Sequence, residues 1–265
     1  MNSPLTAGRV ADYTRDGYLI VKHPIFSPEK FAQAKAYCAS LFDAANEGGN
    51  IPAIIDCPHW RDPRMFEWIF ADEMLDLVEP LIGPDIGVFA CHLLQKPAGT
   101  GKRVPWHEDS AYWRGVLEPM TVASVTLALE PCLTENGCLR VVPGTHLHGY
   151  SDYAPVKKPE DEVFGIEIKR SEVLNARAAD IVLQPNEASV HHGKIIHGSN
   201  PNTGNLRRAV LTVRYFPTTV RFVSDAHEYF KQGFHIYLAR GRDHAGNRYS
   251  DPTKAYAKND KVSTA

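Results

Sequence analysis

The run Trp106-His107-Glu108-Asp109 sets an imidazole and a carboxylate two residues apart. On a β-strand such a pair projects from one face, which suits two neighbouring ligands of a single metal ion. The spacing alone is weakly specific in a chain with 12 histidines, where the alternative is a surface pair. A third ligand has to come from another segment. In Ile195-Ile196-His197-Gly198-Ser199-Asn200-Pro201 a histidine stands where an apolar run meets a Gly/Asn/Pro turn, the mouth of a strand. His191 and His192 are rivals within a strand, and the plain alternative for them is one packed core histidine and one surface histidine. Two imidazoles and a carboxylate form the facial triad of non-haem Fe(II) oxygenases, with coordination positions left open for oxygen and a co-substrate. A dicarboxylate chelating that iron needs a cation at its far end. Arg207 and Arg208 follow His197 by ten and eleven residues, and a guanidinium can grip a carboxylate with two hydrogen bonds. A solvated arginine pair at a loop end is the alternative.

These residues need a scaffold, and the chain changes texture to supply one. The first third reads as mainly helical: a short strand at Tyr18 to Val21, then a helix opened by Ser27-Pro28-Glu29 with Phe31, Ala34, Tyr37, Cys38, Leu41 and Phe42 at helical spacing. A second helix is predicted from Pro63 to Leu81, ended by Gly83-Pro84. From Ile86 the sequence turns to short Val-, Thr- and aromatic-rich runs closed by Gly, Pro or Asn. Strands are predicted at Gly87 to Gln95, Val104 to Tyr112, Val122 to Glu130, Leu139 to Val142, Phe164 to Ile168, Asp180 to Leu183, Ser189 to His192 and Arg208 to Phe216. This is an α+β, mainly β pattern with its helices at the N-terminal end, fitting a β-sandwich or jelly roll. No linker separates two domains, so 1–265 reads as one unit: a helical flank over 1–85, a β-core over 86–217 and an extension over 218–265. Asn136-Gly137 and Pro143-Gly144-Thr145-His146 read as turns, the latter in preference to a metal ligand. Pro155 to Glu162 reads as a solvated loop.

Composition narrows the partners. Twenty-nine basic against 31 acidic residues give a formal charge of -2, which disfavours a nucleic-acid ligand. No stretch approaches the ~18 uninterrupted apolar residues of a membrane span, and Arg9, Asp12, Arg15 and Asp16 interrupt the place of a signal peptide. The five cysteines never form C-x-x-C, so reduced thiols in a cytoplasmic protein are expected. The sequence leaves the oligomeric state open.

Taken together, these features resemble the phytanoyl-CoA dioxygenase (PhyH) family of Fe(II)/2-oxoglutarate oxygenases. The likeness runs from Arg15-Asp16-Gly17-Tyr18 to Tyr215, through Trp106-His107-Glu108-Asp109, Glu135-Asn136-Gly137-Cys138-Leu139, Pro143-Gly144-Thr145-His146 and His197-Gly198-Ser199 with Asn202. The resemblance implies a double-stranded β-helix (jelly roll, cupin-like) core. It implies that His107, Asp109 and His197 hold Fe(II), and that an arginine eleven residues after the last histidine holds the distal carboxylate of 2-oxoglutarate. That count gives Arg208, whereas the alternation of apolar residues along the strand favours Arg207. Ser199 matches a supporting hydroxyl. Leu94-Gln95-Lys96 matches a strand end near the co-substrate, with Gln95 the chosen candidate and the inward residue undecided. Tyr112 and Trp113 are candidates for touching substrate, against a core aromatic pair. Two departures, Glu108 in place of the frequent Gln and Thr126 in place of an aromatic, bear on the substrate. The expected reaction couples 2-oxoglutarate and O2 to hydroxylation of a small organic metabolite with release of succinate and CO2. The competing class is a catalytically silent metal- or ligand-binding jelly roll. No concentrated basic run is present to hold the phosphates of CoA, so a small polar compound is expected.

Overall fold

The structure is a computed structural model that describes residues 5–257 apart from positions 50 and 232. The end of the C-terminal extension, 258–265, lies outside the described residues. Helices α1 (Ala7–Asp16), α2 (Pro28–Ala45), α3 (Pro58–Arg61), α4 (Phe66–Ile69) and α5 (Asp72–Ile82) are interleaved with strands β1 (Tyr18–Val21) and β2 (Ile54–Asp56). Then follow β3 (Ile86–Lys96), β4 (Val104–His107), β5 (Leu117–Glu118), β6 (Ala123–Ala128), β7 (Leu139–Val141), β8 (Tyr153–Pro155), β9 (Ile166–Ile168), β10 (Ala179–Ile181), β11 (Ala188–His192), β12 (His197–Ser199) and β13 (Arg208–Pro217). Strand β14 (Arg221–Phe222), helix α6 (Glu228–Lys231) and strand β15 (Tyr237–Arg240) come last.

Two antiparallel sheets make the jelly roll. The larger runs β1-β11-β6-β13-β3-β15, with β2 also paired to β3, and the smaller runs β10-β7-β12-β4. The helices pack on the outer face of the larger sheet. Local chemistry sets α2: the Ser27 hydroxyl accepts from the Lys30 N–H, Pro28 occupies the first turn, and Ala34, Cys38 and Phe42 form its buried stripe. That stripe joins the main core together with Ala209, Leu211, Val213 and Tyr215 of β13. The Tyr215 hydroxyl donates to the Ile69 carbonyl at 2.7 Å. Strand β13 is buried along its whole length. Its other face, carrying Arg208, Val210, Thr212 and Arg214, looks into the space between the sheets, where Val210 meets Val141, Ile181 and Leu183.

Two predicted elements differ in the structure. The helix expected over Pro63 to Leu81 is broken into a 3₁₀ turn (Pro63–Met65), α4 and α5. Ala71 takes an extended conformation there, and Asp72 and Glu73 open the next helix with acid side chains at its positive end. The apolar spacing continues across the break, so the periodicity hides it. The strand expected over Val104 to Tyr112 stops at His107, and Asp109–Ala111 form a 3₁₀ turn. Hydrogen bonds from Ala111 N to Glu108 O at 3.1 Å and from Tyr112 N to Asp109 O at 3.0 Å close that turn. All five cysteines are free and buried. No helix among the described residues is long and apolar enough to cross a membrane.

Candidate active site

His107 closes β4 and His197 opens β12, and the two are direct partners across that ladder. Gly198 makes the ladder possible, since a Cβ there would stand 2.9 Å from the Val104 carbonyl oxygen. The imidazoles lie with ring centroids 4.2 Å apart. Each ring is fixed by the carbonyl two residues before it: His107 Nδ1 to Pro105 O at 2.8 Å and His197 Nδ1 to Ile195 O at 3.0 Å. With Nδ1 donating to a carbonyl, Nε2 is the free lone pair, the tautomer a metal requires. The 3₁₀ turn then brings Asp109 back to this pair. Its Oδ1 is 3.8 Å from His107 Nε2 and 3.9 Å from His197 Nε2. The three ligand atoms lie within 4.8 Å of one another, and all three side chains are buried. His107 and Asp109 thus share a site through a turn, not through the strand alternation expected from their spacing.

Electrostatics prepare these groups for a cation. Burial pushes the His107 imidazole down to about 3 and His197 down to about 4, so both are neutral at ordinary pH. Burial would raise Asp109, but the Arg214 guanidinium beside it outweighs that and holds the carboxyl well below the usual range. Arg214 reaches Asp109 Oδ2 through Nε at 3.1 Å and Nη2 at 3.0 Å. A neutral imidazole pair with an ionised carboxylate is a donor set that binds a divalent ion without first losing protons.

The triad opens into a chamber of about 1150 Å³. At one end stands Arg208, directly opposite Lys96 on β3. Arg208 is buried, donates from Nη1 to the Gly137 carbonyl at 2.7 Å, and has no partner for Nε. Gly137 has φ +75, and a Cβ on it would sit 2.4 Å from the Asn200 oxygen and 3.2 Å from Lys96 Cδ. Lys96 is 2% exposed and donates to the Asn200 carbonyl. Burial, then the charge of Arg208, lowers its ammonium to about 6. Ser199, Leu94, Val210, Ile181 and Leu183 also line the chamber. Arg207 points the other way, ion-paired to Glu130 at 2.8 Å and lying over the Phe42 ring of α2. Gln95 shares that outward face: its amide donates to Asn46 at 2.9 Å and to the Pro52 carbonyl at 3.0 Å. The strand-end residue on Arg208's face is therefore Lys96, while Gln95 borders the chamber from the neighbouring position.

Tyr112 and Trp113 both line the chamber but differ in exposure. Tyr112 is 39% exposed, its ring 6.2 Å from His107 and 6.1 Å from Phe164, at the chamber mouth. Trp113 is buried in the main core, 5.1 Å from the Phe89 ring and under the Arg214 guanidinium. Trp113→Ala is expected to lower the melting midpoint, because deleting a buried indole costs about 3–5 kcal/mol. Tyr112→Ala is expected to leave the melting midpoint in place and raise the substrate KM, and an unchanged KM would remove Tyr112 from the mouth.

His191, one of the two rival histidines of the sequence, is the one that lines the chamber. It faces the chamber on β11, its ring 4.9 Å from that of His197, with neither nitrogen hydrogen-bonded. His192 turns outward, its ring tilted against that of His146 at 5.3 Å. His146 itself bonds the Thr14 carbonyl of α1, away from the triad. Glu108, between the two ligands, accepts from Ser151 N at 2.6 Å and so ties the 3₁₀ turn to the neighbouring loop.

A profile described as phytanoyl-CoA dioxygenase (PhyH) matches residues 13–210, most of the chain and every residue of the triad and of the Arg208 end. The chain belongs to the phytanoyl-CoA dioxygenase family of Fe(II)/2-oxoglutarate oxygenases. Within that family it is similar to human peroxisomal phytanoyl-CoA dioxygenase, 30% identical over 157 residues covering 57% of this chain and 45% of the relative. It is also similar to L-proline trans-4-hydroxylase of Streptomyces griseoviridis, 26% identical over 238 residues covering 81% of this chain and 87% of the relative. The phytanoyl-CoA dioxygenase alignment thus spans about half that relative's length. The fold resembles the crystal structure of EctD from S. alaskensis with 2-oxoglutarate and 5-hydroxyectoine, at TM-score 0.70 and 21% identity, covering 92% of this chain and 87% of that one.

Proposed function

We propose that the protein is an Fe(II)- and 2-oxoglutarate-dependent dioxygenase that hydroxylates a small organic metabolite, releasing succinate and CO2. One observation carries this reading: a buried two-histidine, one-carboxylate set opens into the same chamber as a buried guanidinium whose Nε has no partner. The donor set fits ferrous iron in kind and number. His107 and His197 would hold it through Nε2 and Asp109 through Oδ1. Iron bound there with 2-oxoglutarate and O2 supplies the oxidising chemistry for C–H hydroxylation.

The chain's own residues do the placing. Arg208 receives the distal carboxylate of 2-oxoglutarate, its free Nε–H and a second N–H offering the two parallel donors a carboxylate takes. Lys96 adds a donor beside it, and Ser199 lines the same chamber. Leu94, Val210, Ile181 and Leu183 keep water from that ion pair, which strengthens it. Substrate enters past Tyr112. Relatives named for L-proline and ectoine support a small-molecule substrate.

The test is succinate formation from 2-oxoglutarate with added Fe(II), first alone and then across a panel of amino acids, phosphonates and CoA thioesters. The expected result is slow succinate release that rises with one class of the panel, accompanied by hydroxylated product. Binding of iron and 2-oxoglutarate with no succinate above background would establish the silent alternative instead.

A further inference from the structure

Arg214 belongs to a chain of hydrogen bonds that begins at the triad and ends at the chamber mouth. Its Nε and Nη2 both reach the same oxygen of Asp109, Oδ2, at 3.1 and 3.0 Å. Its Nη1 donates to His92 Nδ1. With Nδ1 accepting, the His92 proton is on Nε2, which donates to Asp56 Oδ1 at 2.8 Å. The other Asp56 oxygen, Oδ2, accepts from the Tyr229 hydroxyl at 2.7 Å. Every donor meets an acceptor: Tyr229 and His92 both donate to Asp56, and Arg214 donates both to His92 and to Asp109. Both nitrogens of His92 are thereby engaged, so the neighbouring grouping of Asp56, Cys57 and His92 has no free imidazole for an ion of its own.

The fold builds this network from four elements. Arg214 stands on β13 opposite Ala90 and next to a register shift between Arg214 and Tyr215, the kind of bulge that re-aims a side chain. His92 lies on β3 and is paired directly with Asp56 of β2, and Tyr229 lies on α6. The Trp113 ring covers the guanidinium at 5.3 Å.

We propose that Arg214 is a positioning residue for the metal ligand Asp109, and that His92, Asp56 and Tyr229 hold Arg214 in that pose. The proposal rests on the triad being the metal site. Because Arg214 occupies Oδ2, only Oδ1 faces the two imidazoles, so Asp109 can offer the metal one oxygen and not two. A facial triad works by leaving positions open, and a carboxylate that swung to two-point binding would take one of them. Outer partners of metal ligands fix orientation in this way, and their removal lowers metal affinity by roughly 10- to 100-fold.

The test uses Co(II) as a spectroscopic stand-in for Fe(II) with the full chain, in wild type, Arg214→Gln, Arg214→Lys, Asp56→Asn and Tyr229→Phe, with Asp109→Ala as reference. Arg214→Gln is expected to bind Co(II) roughly 10- to 100-fold more weakly, with a visible absorption changed in position and intensity by the altered coordination. Arg214→Lys, one point donor in place of a fork, should recover part of both. Asp56→Asn, which touches neither the metal nor Asp109, should shift the spectrum in the same direction by a smaller amount. Affinity and spectrum equal to wild type in Arg214→Gln would overturn the positioning role. A change in Arg214→Gln with none in Asp56→Asn and Tyr229→Phe would overturn the holding role of the outer chain. If Arg214→Gln does not fold, the spectra of Asp56→Asn and Tyr229→Phe decide: shifted supports the proposal, unshifted overturns it. Wild type that binds no Co(II), or binds it as well after Asp109→Ala, would instead remove the metal-site reading itself.

Discussion

His197→Ala is expected to strip the protein of ferrous iron and stop succinate formation, whereas His192→Ala keeps both. The site has three protein ligands, and His197 Nε2 faces Asp109 at 3.9 Å with its Nδ1 already committed to Ile195. Losing an outer partner of a ligand costs roughly 10- to 100-fold in metal affinity, so losing the ligand itself exceeds about 100-fold. His192 is different in kind. Its Nδ1 accepts from Lys194 N at 3.1 Å and its ring packs by His146 and Tyr13, so alanine there removes packing on the outer side. Iron titration of the two purified variants, with succinate release measured in parallel, checks the ranking. Tight iron binding by His197→Ala together with its loss in His192→Ala would transfer the ligand role.

His191 sharpens the same experiment. It lies closer to the triad than His192, yet its ring nitrogens are not among the atoms that converge with Asp109. Iron retained by His191→Ala would separate nearness to the metal from ligation of it.

The parts of the site legible in the sequence are those carried by local spacing. His107 and Asp109 stand two residues apart, and His197 meets a turn of recognisable composition. The pairing survived even though its supposed cause did not: Asp109 arrives by a 3₁₀ turn beyond the end of β4. What misleads is burial. The alternation on β13 puts Ala209, Leu211, Val213 and Tyr215 on one face, which looks like a barrel interior, but that face packs on the helical layer. A strand with helices outside and a chamber inside is buried on both faces, and here the polar face is the one that lines the chamber. The same inversion explains Gln95 and Lys96, since Lys96 lies opposite Arg208. Arg214 is illegible for another reason: its partner Asp109 is 105 residues away in sequence, and nothing in either local pattern announces the other. The break between α4 and α5 is equally silent, because it interrupts the backbone without interrupting the apolar period.

Arg208→Ala is expected to weaken 2-oxoglutarate binding by roughly 30- to 1000-fold, the equivalent of about 2–4 kcal/mol for a charge-assisted two-point contact in a dry site. Arg207→Ala should change it little. The two neighbours leave β13 on opposite faces, and their surroundings differ accordingly. Arg207 is half-buried and already neutralised by Glu130 at 2.8 Å, so it has no donor pair to offer a ligand in the chamber. Arg208 is buried with Lys96 beside it, its Nε unpartnered and its Nη1 on a backbone carbonyl. Burial holds its guanidinium below the ordinary arginine range. A buried cation without a carboxylate is costly until one arrives. An incoming dianion therefore removes a penalty as well as forming a bond, and that is why the expected loss is large for a single side chain. Arg208→Lys should restore only part of the affinity, since an ammonium cannot reproduce the planar fork. A 2-oxoglutarate titration of the iron-loaded variants measures all three. A larger loss in Arg207→Ala than in Arg208→Ala would mean that the co-substrate does not bind at the inner end of the chamber.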